Sequence, residues 1–359
     1  MRYQAVLSVC LLVVVCLLVG AARAITPYTI TDLGTLGGGE YSYSTAEGIN
    51  DSGQVVGHAW SGSEVIHAFL WENGVMQDLG TLYGGYSTAE GINDSGQVVG
   101  ESDFPTGCTA FLWENGTMQD LGTLPDGFGS GARSVNDSGQ VVGCAMTAAW
   151  DWHAFLWENS VMQDLGTLGG TSSDAYGING SGQVVGDAKT ANGESHAFLW
   201  EDGVMQDLGT LGGTSSRARA TNDSGQVVGY AKTDNGEDHA FLWENGVMQD
   251  LGTLGGTSSD AYGINGSGQV VGKAKTANED GHACLWENGA MYDLNELILS
   301  DSGWALRRAT CINDVGQVVG TGLNPQGYEH AFLLTPIPEP STPSLVVLGA
   351  LGLLLRRRR

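Results

Sequence analysis

Asn50-Asp51-Ser52-Gly53-Gln54-Val55-Val56-Gly57, or a close variant, occurs seven times, with its first glycine at Gly53, Gly96, Gly139, Gly182, Gly225, Gly268 and Gly316. Five of the six intervals are 43 residues and the last is 48. A strict period of this size means one supersecondary unit copied in tandem, a unit that cannot bury its apolar face alone and must stack on its neighbours. Seven copies therefore make one body, not seven domains.

The first copy serves as template. Ala46 to Ile49 is a short segment ended by Asn50-Asp51-Ser52-Gly53, residues suited to a tight hairpin turn with positive φ at the glycine. Gln54 to Ala59 follows, then a variable loop, His67-Ala68-Phe69-Leu70-Trp71, a second tight turn at Glu72-Asn73-Gly74, and Val75 to Leu79. These are four strands, A to D, with turn signals about every ten residues. No stretch sustains a 3.6-residue apolar period, which excludes helical solenoids. The expected fold is all-β: a seven-bladed β-propeller of four-stranded blades. The last copy ends at His330-Ala331-Phe332-Leu333-Leu334 without a strand D, whereas Tyr28 to Leu36 is a spare strand D with no A to C before it. The N-terminal strand is therefore expected to complete blade 7 and close the ring, an economy that a parallel β-helix does not call for.

The repeat resembles the HAF family of extracellular repeats, on the His-Ala-Phe at His67, His153, His196, His239 and His330. Copy two departs with Thr109 and copy six reads His282-Ala283-Cys284. The resemblance implies an extracellular location and no particular activity.

The chain ends give the route. Arg2, an apolar run from Val6 to Val19 and Ala22-Arg23-Ala24 make a secretory signal peptide over 1–24, because the run is short for a crossing of roughly 20 residues. At the other end stand Pro338-Glu339-Pro340, an apolar run from Leu345 to Leu355, and Arg356, Arg357, Arg358 and Arg359. A terminal arginine cluster holds such a run at the cytoplasmic side, so 338–359 reads as a transmembrane stop signal and 25–337 as the propeller. This order resembles the PEP-CTERM sorting tail of Gram-negative bacteria, also described as the C-terminal type of ice-binding proteins. The resemblance implies an exosortase-type partner, export through the inner membrane and release or display at the cell surface. It does not imply ice binding.

Of the 40 acidic residues 39 lie in the body, all but Glu339, against nine of the 15 basic ones, a balance of about −30. Such a surface repels nucleic acid and anionic lipid. A histidine and a tryptophan recurring at fixed positions, each in six of the seven copies, mean hydrogen bonding and packing within each blade, not a metal centre. Turn chemistry accounts for the sequon-like Asn50, Asn93, Asn136, Asn179, Asn222 and Asn265 without glycans. The acidic loops at 192–194, 234–238 and 278–280 have oxygen donors without the spacing of a calcium loop; calcium is the only cofactor left open. Cys284 and Cys311, in adjacent blades, are the disulfide pair to test. No Gly-x-Ser-x-Gly elbow, His-Glu-x-x-His or phosphate loop is present, and near-identical copies favour a scaffold or binding module over an enzyme.

Turns A–B and C–D are short and nearly constant, whereas B–C and D–A vary, so one face of the disc is uniform and the other individual. The individual face gathers Tyr41, Tyr43, Tyr83, Tyr86, Trp60, Phe128, Trp150 and Trp152, with a strand A position reading Glu47, Glu90, Arg133, Tyr176, Arg219, Tyr262 and Thr310. Aromatics with mixed charge suit an extracellular polysaccharide or a surface protein. The alternative is a glycan-active enzyme using Glu47 and Glu90 as a carboxylate pair.

Overall fold

Adjacent valines of the Gln-Val-Val-Gly segments are buried facing opposite ways. Val55 packs in a core shared by blades 7 and 1, and Val56 in a core shared by blades 1 and 2. The same arrangement continues around the ring, so each of the seven core clusters lies between two blades. A β-strand alternates its side chains, and Val-Val is continuous because both faces of the sheet are covered. No blade owns a core.

The computed structural model describes residues 27–37, 42–62, 65–104 and 107–338; the signal segment, Tyr41 and the tail from Glu339 lie outside the described residues. Seven four-stranded antiparallel sheets form a seven-bladed propeller. Blade 1 comprises Ser44–Ile49, Val55–Trp60, Ile66–Glu72 and Val75–Asp78, and the pattern repeats through blade 6. Strand A of each blade packs against strand A of both neighbours, which puts it innermost. Blade 7 is Ala305–Ile312, Val318–Leu323 and Glu329–Pro336, completed by Tyr28–Asp32 in register Tyr28↔Pro336 to Asp32↔Phe332. The expected closure is observed. Among the described residues the only helical element is the 3₁₀ turn Leu294–Glu296, which lies in the interval lengthened to 48.

The repeat motif is a set of joints. Asn50 accepts the Gln54 N–H with its Oδ1, donates one amide hydrogen to Gln54 Oε1, and donates the other to the carbonyl of Asn93 in the next blade at 3.1 Å. Each later asparagine does the same, and Asn313 returns the bond to Asn50 at 3.0 Å. These buried amides are fully engaged, so the sequon-like asparagines are structural in the folded protein. A second joint uses the serine that opens strand A. Ser87 Oγ accepts the Ala68 N–H of blade 1 and donates to Gly80 O, and the same serine recurs from Ser44 to Ser259. In blade 7 the register places Leu306 at that position, with Arg307 bulged out, and Asn295 on the 3₁₀ turn makes the joint by bonding both polar backbone groups of Leu306. The glycine that ends Gln-Val-Val-Gly is required by a close approach: a Cβ on Gly57 would overlap the Thr45 carbonyl.

His-Ala-Phe now has a physical reading. The histidine contacts a strand D aspartate, as in His67–Asp78 at 2.8 Å; the alanine and phenylalanine fill the two neighbouring cores. In copy two Thr109 Oγ1 donates to Asp120 at 2.8 Å and does the same work. The disulfide expectation is corrected: Cys284 faces the core between blades 5 and 6, Cys311 packs toward the core between blades 7 and 1, and both are free.

Two measurements check the seam. Deleting 28–36 should expose the edge of blade 7 and lower Tm by about 5 °C or more; an unchanged Tm would count against closure. Burial alone would raise the Asp32 carboxyl, but hydrogen bonds from His330 and the Gly34 N–H outweigh it and hold the pKa below its usual value. This stabilisation is present above the unfolded aspartate pKa and lost as pH falls through the lower folded one. The stability gap between the parent and Asp32→Asn should therefore close in acid, and a gap constant from neutral pH to pH about 2 would disprove the linkage.

Candidate functional site

Every strand A carries a bulge, falling at Glu47, Glu90, Arg133, Tyr176, Arg219, Tyr262 and Thr310. An unpaired extra residue re-aims its side chain, and bulges recur beside functional sites for that reason. The individual strand A position is thus a bulge position in all seven blades. Two residues earlier on strand A comes a second tier that sequence reasoning passed over: Thr45, Thr88, Gly131, Asp174, Arg217, Asp260 and Arg308. It was legible, because it varies among copies as much as the first.

These tiers join into a charged lining. Arg308 Nη2 donates to Glu47 Oε1 at 2.9 Å, Arg219 grips Asp260 with two nitrogens at 3.3 and 2.9 Å, and Arg217 Nε meets Asp187 Oδ1 at 2.8 Å. Arg217 also lies 5.1 Å from the Tyr176 ring centre, and Arg219 lies 4.7 Å from that of Tyr262. Burial pushes Glu47 up to about 7, against the pull of Arg308 and with a further push from Glu90. Burial and Asp260 raise Tyr262 to about 12. Arg133 has the loosest partner, Glu90 at 3.8 Å. Burial opposes its charge, but Glu90 and Asp174 outweigh that and raise its pKa.

At the uniform end, the Asn ring and the following turn residues enclose about 250 Å³. There Asp51, Asp94, Asp137, Asp223 and Asp314 accept backbone N–H groups from neighbouring blades. At the individual end a cavity of about 400 Å³ spans blades 2 to 5, with Glu101, Arg133, Trp152, Asp174 and Tyr176 in its wall. A separate hollow of about 290 Å³ lies by Arg219, Tyr230 and Asp260. Among the described residues no group of three or more His, Cys, Asp or Glu side chains is placed to hold a metal.

The loop aromatics divide. Tyr43 packs on Trp60 at 6.1 Å, and Tyr83 donates to Asp120 at 2.9 Å. Tyr86 is exposed, and burial with the nearby Glu101 pushes its hydroxyl up to about 12. Phe128 and Trp150 are 49% and 68% exposed yet stacked on each other, centroids 4.6 Å apart and planes 21° apart. Trp150 has φ 69 and its N–H bonds to Thr147 O, closing the turn that Gly193, Gly236 and Gly327 close in blades 4, 5 and 7. A bulky side chain in the left-handed region costs roughly 1–2 kcal/mol. Blade 3 thus carries a strained, exposed tryptophan where blades 4, 5 and 7 have glycine and blade 6 has Glu279 at φ 66. Trp152 lies beside it at the cavity, its ring edge close to Gly129.

Residues 336–359 match the PEP-CTERM protein-sorting motif. No curated protein matches the chain. Among solved structures it is similar to a puromycin-hydrolysing peptidase of Mycobacterium tuberculosis, at 12% identity and TM-score 0.56 over 88% of this chain and 56% of that one. It is also similar to YCF48 bound to D1 peptide, at 14% identity and TM-score 0.52 over 89% and 98% of the two chains. TolB from Acinetobacter baumannii matches at 10% identity and TM-score 0.47, over 79% of this chain and 64% of that one. The chain thus spans less than two thirds of TolB and of the peptidase. At these identities the likeness is one of fold. The tail is that of an exported, surface-sorted protein; the apolar run lies outside the described residues, among which no helix is long and apolar enough to cross a membrane.

Trp150→Gly tests whether the strained residue supports the fold. Relief of roughly 1–2 kcal/mol of strain should offset a lost ring contact of about 0.5–1.5 kcal/mol, leaving Tm within about 2 °C of the parent. A drop of about 3 kcal/mol in denaturant unfolding would make Trp150 a structural residue instead.

Proposed function

We propose that this propeller is an exported binding module that engages an extracellular polymer, polysaccharide or surface protein, through the individual face between blades 2 and 4. The observation that carries this reading is Trp150: its strained backbone and open aromatic surface stand where blades 4, 5 and 7 use glycine and blade 6 a polar Glu279. Repeats act here as internal controls. Blades 4 and 6 are letter-for-letter copies over 161–186 and 247–272, whereas Phe128, Trp150, Trp152 and Glu101 occur once each at their positions. Strain and exposed apolar surface that do not serve the fold are characteristic of recognition surfaces. The glycan-active alternative draws on Glu47, whose carboxyl burial pushes up to about 7, with a further push from Glu90. The Arg308 bridge on Glu47 favours a wall role, and product release from polysaccharide by the parent but not by Glu47→Gln would restore the enzyme.

A glycan and protein binding screen on the exported chain tests the face. Changing Trp150 and Trp152 to alanine should weaken the captured ligand by about 2 kcal/mol or more, whereas alanine at Ser52 and Ser95, on the uniform face, should leave it unchanged. Equal weakening by both pairs would place the function elsewhere. The motif also implies an exosortase-type partner. In a host with that enzyme the mature protein should lack Arg356 to Arg359, and intact-mass analysis finding Arg359 on the surface-exposed protein would contradict processing.

A further inference from the structure

The cavity beside Trp152 contains two unfinished hydrogen bonds of opposite sense. Arg133 Nε is a buried donor and Asp174 Oδ1 a buried acceptor, and neither has a partner. Both residues line the same space of about 400 Å³. A buried polar atom left unpaired costs roughly 1–3 kcal/mol, so a donor and an acceptor left open on two residues that wall one cavity call for a visitor that supplies both roles. Resting on the binding reading above, we infer that the cavity takes a neutral sugar unit of a polysaccharide. One hydroxyl accepts from Arg133, its neighbour donates to Asp174, and the flanking rings pack on Trp152 and the Phe128–Trp150 stack.

Charge selects the class. Arg217 is occupied by Asp187 at 2.8 Å, and Asp187 also accepts from Ser195. That leaves Arg133 facing Glu90, Glu101 and Asp174, the three carboxylates that raise its pKa. An anionic sugar would bring another carboxylate among them, and the acidic body repels a polyanion at longer range. A cationic sugar would compete with Arg133 and Arg217 for the carboxylates that those two side chains already face. Burial already pushes the Asp174 and Glu101 carboxyls up, so the cavity disfavours uncompensated charge of either sign. A hydroxyl pair adds no charge and satisfies both open atoms. The space falls within the roughly 300–1,000 Å³ typical of small-ligand pockets, and an exposed stacked aromatic pair offers the flat apolar surface on which a sugar ring lies.

Calorimetry and tryptophan fluorescence on the exported chain, with matched oligosaccharides of neutral hexose, hexuronic acid and hexosamine, test the assignment. The neutral series should bind at least tenfold more tightly than either charged series, with little dependence on salt. Asp174→Asn and Arg133→Met should each weaken it tenfold or more, and the near-isosteric Asp174→Asn, checked for parental Tm, keeps the test informative should the arginine variant misfold. Binding that favours a charged series, or neutral binding indifferent to Asp174→Asn, overturns the sugar assignment while leaving the face intact if Trp150 and Trp152 still matter. Capture of a protein partner with no oligosaccharide bound also overturns it and keeps the broader reading. Indifference to the tryptophans as well would remove both.

Discussion

The propeller depends on one repeated hydrogen bond, the donation from each asparagine side chain to the backbone carbonyl of its counterpart one blade on. Seven such bonds, from Asn50 through Asn313 and back to Asn50, form a closed circuit. Each contributes only about 0.5–1.5 kcal/mol, yet every amide is buried, so breaking one leaves groups that water cannot reach. The constraint fixes the height and pitch of strand A in every blade and thereby sets the bulge at one level around the axis. The motif is invariant at its asparagine because that one side chain folds its own turn and holds the next blade.

With the joints fixed, the lining is free to differ. Glycine, threonine, tyrosine, arginine and both acidic residues all occupy the two inner tiers, a range that an ordinary core does not allow. Four of the five arginines between Thr31 and Pro336 stand there, in a body that is otherwise strongly acidic. Most are neutralised in place by carboxylates from neighbouring strands. The result is a polar lining of nearly balanced charge within an acidic disc, with its opening best formed where the copies diverge most.

Blade number, strand order and closure were legible in the sequence because each rests on local signals, a hairpin turn or an alternation of side chains, copied seven times. The bulge was not. Ala46-Glu47-Gly48 breaks the period of two by a single residue, and only the pairing partners Gly57 and Val56 reveal the extra one. For the same reason strand A supplied one variable position from sequence and two from structure. The misplaced disulfide has a related cause: blade adjacency says nothing about which face a residue points from, and Cys284 and Cys311 point away from each other's core. Trp150 and Trp152 were legible as individual, but the backbone strain at Trp150 was not, since it required knowing that this turn position has a positive φ, as it does at Gly193, Gly236, Glu279 and Gly327.

Pairing Tyr28 with Pro336 has a kinetic side. Contacts between residues this distant in the chain form slowly, because the whole intervening length must be brought to order first. Blade 1 cannot finish its core with blade 7 until the last strand has emerged, so during secretion the growing chain stays an open, unlocked row of sheets. Threading across a membrane requires that looseness. Completion of the ring then acts as a latch, since the last core between blades forms only when the first strand and the last blade meet.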